Sequence, residues 1–138
     1  TERNGPVAAL KTLKVMERTR SWEYITSTGL DIRKRWQQLA DGHGLAVDHW
    51  GLPALTGFTF RTTHALEYKT LITQEMLKKG YLAANSIYVC KEHTPELIDG
   101  YFEALDPVFA LIRECEDGRD VVSLLDSSVC HGGFKRLN

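Results

Sequence analysis

The apolar positions of this chain fall into helical stripes separated by short β-leaning runs. Ala9, Leu10, Leu13 and Met16 recur at steps of three and four, which predicts a helix over residues 6–19. Pro6 suits its first turn, where a missing N–H costs nothing. A second stripe, through Trp22, Ile25, Gly29, Ile32, Trp36 and Leu39, leaves Arg33, Lys34, Gln37 and Gln38 off its face. Ser21 is its expected cap, and the Asp41-Gly42-His43-Gly44 run its stop. Trp22 and Trp36 are therefore expected in the core. Residues 45–48 and 54–61 read as two strands joined by an irregular link that carries Gly51 and Pro53.

Helical spacing returns over residues 65–79 through Tyr68, Ile72 and Met76, and closes on Lys78-Lys79-Gly80. Residues 81–90 then read as a third strand, buried on at least one side. In Thr94-Pro95-Glu96 the threonine caps the last long helix, the proline takes its first position and the glutamate complements its dipole. Leu97, Ile98, Tyr101, Leu105, Val108, Phe109 and Ile112 form its stripe, and Pro107 predicts a bend or break. A polar turn at residues 115–119 and a short amphipathic segment at 121–125 follow. The order is that of an α+β fold, a small sheet with helices packed on one face.

The chain of 138 residues is 43% hydrophobic, enough for one domain with a real core and no disulfide or metal staple. A formal net charge of -1 lacks the electrostatic footprint of a phosphate-backbone binder, so nucleic acid is not an expected partner. Cys90, Cys115 and Cys130 are odd in number and irregular in spacing, and read as reduced thiols. No apolar run nears the roughly 20 residues that span a bilayer. The expectation is a soluble, cytoplasmic protein without a membrane partner. Because the chain starts at Thr1 and runs straight into a helix, it also reads as a piece of something longer.

Candidate chemistry is sparse. No phosphate-cradling glycine loop, paired-cysteine metal motif or nucleophile elbow is present. Cys90-x-x-His93 with Cys130-His131 offers soft thiolates and imidazoles to a zinc ion, but Cys90 ends an apolar run and reads instead as a small buried hydrophobe. No metal site is expected. His93 could act as a general base; its place before Thr94-Pro95 favours a role in starting the helix. Glu114, Glu116, Asp117 and Asp120 form an acidic cluster that reads as solvated. Arg3, Arg61 and Arg136 could each grip a carboxylate. Trp50, in the link between strands, could line an interface or cleft.

Several segments, in order, resemble the C-terminal part of class III aminotransferases, especially the glutamate-1-semialdehyde aminomutase group. Thr1-Glu2-Arg3-Asn4-Gly5-Pro6 and the helix after it resemble that family's Thr-x-x-Gly-Asn-Pro segment. Gly51 to Phe60 is similar to its glycine-led strand, Met76 to Ala83 to its helix-Gly-strand passage, and His93-Thr94 with Ile98-Asp99 to its Ala-His-Thr and Ile-Asp pairing.

The resemblance implies a small antiparallel sheet of about three strands, the C-terminal domain type of fold-type I enzymes that use pyridoxal phosphate. It implies a partner large domain, a homodimer, and a small-molecule amino or carbonyl substrate. The family's Schiff-base lysine lies upstream of the matching segment, so no catalytic residue is expected here and the isolated chain should be silent. Thr1 alone matches a cofactor-binding position, the threonine that meets the cofactor phosphate of the neighbouring subunit. The Asn4-Gly5 order and the missing proline in Leu82-Ala83-Ala84-Asn85-Ser86 depart from the aminomutase pattern, leaving transaminase and aminomutase both open. A free-standing regulatory or interaction module is the alternative that explains the absent motifs.

Overall fold

Steric access decides how this chain closes on itself. A computed structural model describes residues 3–133. Helix α1 (Asn4–Thr19) meets α2 (Ser21–Gly42) through the single residue Arg20, which is left-handed at φ 44° and ψ 44°. Its N–H bonds back to Glu17 O, and its guanidinium pairs with Glu23. Ser21 is therefore not a cap: one left-handed residue joins the helices and leaves no extended position for a capping side chain.

Strands β1 (Val47–Leu52) and β2 (Leu55–Phe60) form a regular antiparallel hairpin, with Leu52 opposite Leu55 across the tight turn Pro53-Ala54. The expected irregular link is thus mostly strand. Gly51 makes this possible, since at φ +82° a Cβ would sit 2.2 Å from Leu55 O. Beyond α3 (Ala65–Lys78), the third strand β3 is far shorter than expected, only Ser86–Tyr88, antiparallel to β2. The run before it has no strand to pair with, and Leu82 is 95% exposed. Asn85 lengthens the ladder by one rung, accepting from Phe58 N and donating its side-chain amide to Phe58 O at 2.8 Å.

Helix α4 (Pro95–Glu116) starts as expected, with Thr94 Oγ1 accepting from Leu97 N. It does not break at Pro107; the helix runs on to Glu116, and Lys79 Nζ donates to the Ala104 carbonyl one turn earlier. A short 3₁₀ turn, Val122–Leu124, follows.

Helices α2 and α3 lie on one face of the sheet, and α4 packs against both of them. Thr56, Phe58 and Phe60 project from β2 into this layer. Phe109 of α4 reaches Phe58 and Phe60 at ring separations of 5.8 and 5.4 Å, while Trp36 of α2 lies 4.8 Å from Phe58. Trp36 is fully buried, and its indole N–H donates to Tyr101 Oη at 3.0 Å. Burial drives the Tyr101 phenol pKa upward, a rise the Trp36 bond only partly opposes. The α+β architecture with helices on one face is the one the stripes predict.

Two expectations about burial fail. Trp22 is 45% exposed, one turn before Ile25, where the stripe of α2 first packs against the core. Cys90 is exposed, two residues past the end of β3, while Val89 before it is buried. Helix α1 has no fully buried residue, and Val7, Leu10, Leu13 and Met16 are exposed.

Gly29 of α2 lies against the hairpin turn at backbone-contact distance. A Cβ there would stand 1.9 Å from Pro53 O and 2.6 Å from its carbonyl carbon. Backbone cannot yield as a side chain can. Gly29→Ala should therefore lower stability by at least the order of 1–3 kcal/mol typical of overpacking, read as a drop in urea midpoint; an unchanged midpoint would show that the turn does not seat on α2.

Candidate functional site

Arg33, which the stripe analysis left on the outer side of α2, ties that helix to the hairpin through three hydrogen bonds. It stands one turn after Gly29, so the contact that brings the hairpin turn onto the helix also brings the strands within reach of its guanidinium. Nε donates to Thr56 Oγ1 at 3.0 Å, and Nη2 to the carbonyls of Gly51 at 2.9 Å and Trp50 at 3.3 Å. Thr56 is fully buried, so this bond satisfies a hydroxyl that would otherwise lack a partner. The sequence signal was available in the four-residue step from Gly29 to Arg33, a basic side chain stacked one turn above a glycine contact.

His49 sits beside this clamp on β1. Its Nε2 lies 3.1 Å from Gln37 Oε1, while Nδ1 is buried with no hydrogen-bond partner. Burial holds the imidazole pKa below its ordinary value, and the nearby Arg33 charge pushes the same way, against Asp48 and the Gly57 backbone. On the opposite face of the hairpin, Trp50 lies over Gly57, where a Cβ would meet the indole at 2.3 Å. This face carries no helix, so Trp50, Leu52 and Tyr88 remain exposed there.

The other sequence candidates are mostly tied up in structure. Arg61 is not a free carboxylate grip: its Nε and Nη2 both donate to one oxygen of Asp48, at 2.8 and 2.5 Å. That bond holds the Asp48 pKa below the usual carboxylate range. Arg3 is exposed at the start of α1, and Arg136 and Thr1 lie outside the described residues. The acidic cluster does not act as one site. Glu114 pairs with Arg119, Glu116 accepts from Tyr68 Oη at 2.6 Å, Asp117 takes the Arg113 guanidinium, and Asp120 accepts from Val122 N.

His93 is built into the start of α4. Its Nδ1 accepts from Cys90 N at 3.0 Å and its carbonyl accepts from Tyr24 Oη at 2.7 Å. Cys130 is held elsewhere, its N–H bonded to Thr70 Oγ1 on α3. Among the described residues no three His, Cys, Asp or Glu side chains converge as metal ligands. No described lysine is buried, and the described residues include no helix long and apolar enough to cross a membrane.

The described residues form several concave surfaces, one of them between the sheet edge and α4. A groove of about 300 Å³ runs between β3 and the first turns of α4, floored by Ile32, Ile98 and Tyr101 and flanked by Tyr81, Tyr88 and Leu97. Ser86 and His93 are among its lining residues, and among the described residues no acidic side chain, lysine or arginine lines it. It is the kind of mostly apolar, sparsely polar concavity that small molecules use.

No family model matches the chain. A 3-aminobutyryl-CoA aminotransferase of Cloacimonas acidaminovorans (strain Evry) is 25% identical over 116 residues, which is 80% of this chain and 28% of that protein. The PLP internal aldimine form of the Sphingopyxis sp. MTA144 FumI protein superposes with a TM-score of 0.68 at 18% identity, covering 85% of this chain and 29% of that one. The chain therefore spans less than a third of the length of either. The structural likeness shows a shared fold, the α+β architecture described above.

Two consequences can be measured. Arg33→Met leaves buried Thr56 and two carbonyls without their donor and should cost about 1–3 kcal/mol in unfolding free energy; retained stability would remove the clamp from the account. For His49, the unfolded chain binds the proton more readily than the folded one, so stability should be greatest above pH ~6.5 and fall with acidification through the ordinary histidine range. His49→Gln should flatten that fall in urea titrations, and an identical slope in both proteins would refute it.

Proposed function

We propose that this chain is the C-terminal small domain of a class III aminotransferase dependent on pyridoxal phosphate, of either the transaminase or the glutamate-1-semialdehyde aminomutase kind. The observation that carries the reading is the match of four-fifths of the chain to a part of an aminotransferase. The fold shared with part of a PLP enzyme supports it. So does α1, a helix of 16 residues that buries none of its own apolar side chains here; such a stripe suits packing against a large cofactor domain.

In this reading the cofactor acts as an electron sink that allows an amino group to pass between a small amine and a carbonyl compound. The described residues do not fit a complete cofactor site. A Schiff-base lysine needs a desolvated amine, whereas Lys78 is held charged by Glu75 and Asp126 and Lys79 is spent on the Ala104 carbonyl. The domain's own contribution is positional: a rigid wall for the substrate cleft and part of a homodimer, in a cytoplasmic enzyme. Thr1 would meet the cofactor phosphate from the neighbouring subunit.

The coding sequence before Thr1 tests this directly: a large upstream domain with its own Schiff-base lysine is expected, and a start codon at that point would overturn the reading. For the proteins themselves, borohydride reduction with pyridoxal phosphate followed by peptide mass spectrometry should label one lysine in the full-length polypeptide, outside this segment. A specific adduct on Lys69, Lys78 or any other lysine of this chain would contradict the proposal.

A further inference from the structure

We propose that Asn4 is a self-modification site, an asparagine whose side-chain amide is lost to attack by the Gly5 backbone nitrogen, leaving aspartate or isoaspartate at the start of α1. Only water is consumed, and the inference does not depend on the aminotransferase reading. The Asn4-Gly5 order is also a feature of this segment that the proposed activity leaves unused. The Gly5 nitrogen, on losing its proton, forms a bond to Asn4 Cγ. The bond from Cγ to the side-chain nitrogen breaks, and that nitrogen takes up the proton and leaves as ammonia. One water then opens the five-membered imide. Opening on one side restores the ordinary backbone with an aspartate; opening on the other routes the backbone through the side-chain carbon as isoaspartate.

The start of α1 favours each step. Gly5 stands at the second position of the helix, where its N–H has no acceptor within the helix itself. Asn4 and Gly5 are both exposed, and a Cβ on Gly5 would meet nothing within 4 Å. The first turn is loosely held. Arg3 at its N-cap makes no side-chain cap bond, a glycine loses more freedom in a helix than any other residue, and Pro6 disfavours helical angles in the residue before it. Opening that turn disturbs no core contact, since α1 has no fully buried residue. The product is also favoured: no acidic residue stands in the first turn, so a new carboxylate there meets the positive end of the helix dipole. Asn85 lacks these conditions. Its side-chain amide donates to Phe58 O at 2.8 Å, its carbonyl accepts from Phe58 N, and Ser86 of β3 follows it.

The two asparagines therefore provide their own comparison within one protein. The full-length polypeptide is incubated at neutral and mildly alkaline pH, and peptide mass spectrometry follows the change from amide to acid while isoaspartyl methyltransferase labels the rerouted backbone. Asn4 should convert about tenfold or more faster than Asn85, the scale that one lost hydrogen bond adds to a barrier. Its conversion should quicken with rising pH, because only the deprotonated nitrogen attacks. Gly5→Ala should slow it severalfold through lost backbone freedom, and the open space at Gly5 leaves room for the added methyl. A full-length protein in which Asn4 keeps its amide as long as Asn85 overturns the proposal, whether α1 holds the residue or another part of the chain covers it. So does a Gly5→Ala variant that converts at the original rate.

Discussion

The approach of the hairpin turn to α2, with Pro53 O where a Gly29 side chain would be, is the contact on which the remaining arrangement depends. It sets the distance between the helical layer and the sheet, and so decides which polar groups can meet. At that distance Arg33 reaches Thr56 and the carbonyls of Trp50 and Gly51. At a larger separation these groups would need water or remain unpaired. With the turn seated, Phe58 and Phe60 fall under Trp36 and Phe109, and the aromatic core closes. A missing side chain thus does more to fix the geometry than any single ion pair, since the exposed pairs contribute little.

Much of this fold was legible in the chain. Helical stripes in α2, α3 and α4 needed only three- and four-residue spacing, and the Thr94-Pro95 signal placed the start of α4 at the observed residue. What spacing could not give was pairing. The run at residues 81–90 has the composition of a strand, but β3 covers only Ser86–Tyr88, because a ladder needs a partner and only Leu55 to Gly57 of β2 pair with it. Likewise Trp22 lies on the right stripe and is still exposed, since periodicity says which face is apolar and not whether anything covers it.

The candidate site was less legible, for a related reason. Arg61 and the acidic residues at 114–120 are plausible ligand groups in sequence, but neighbours in space engage them one by one, Arg61, Glu114 and Asp117 in ion pairs and Glu116 and Asp120 in hydrogen bonds. Arg33 gave a fainter signal, the four-residue step from Gly29, because two of its three acceptors are backbone carbonyls, which every residue has. The groove is assembled from the end of one strand and the start of one helix, and its character lies in the charges it lacks. No motif records that.

Arg20 gives the domain an unusual means of aiming its uncovered helix. A non-glycine residue in the left-handed region carries a conformational cost of roughly 1 kcal/mol, offset here by its bond to Glu17 O and its pairing with Glu23. With no side chain of α1 buried, packing contributes little to the direction in which that helix leaves the body. Its heading is instead written in one pair of backbone angles. A chain that must present an apolar ridge at a set angle can therefore hold that angle before anything arrives to receive it, and a change at residue 20 would redirect the ridge without touching the core.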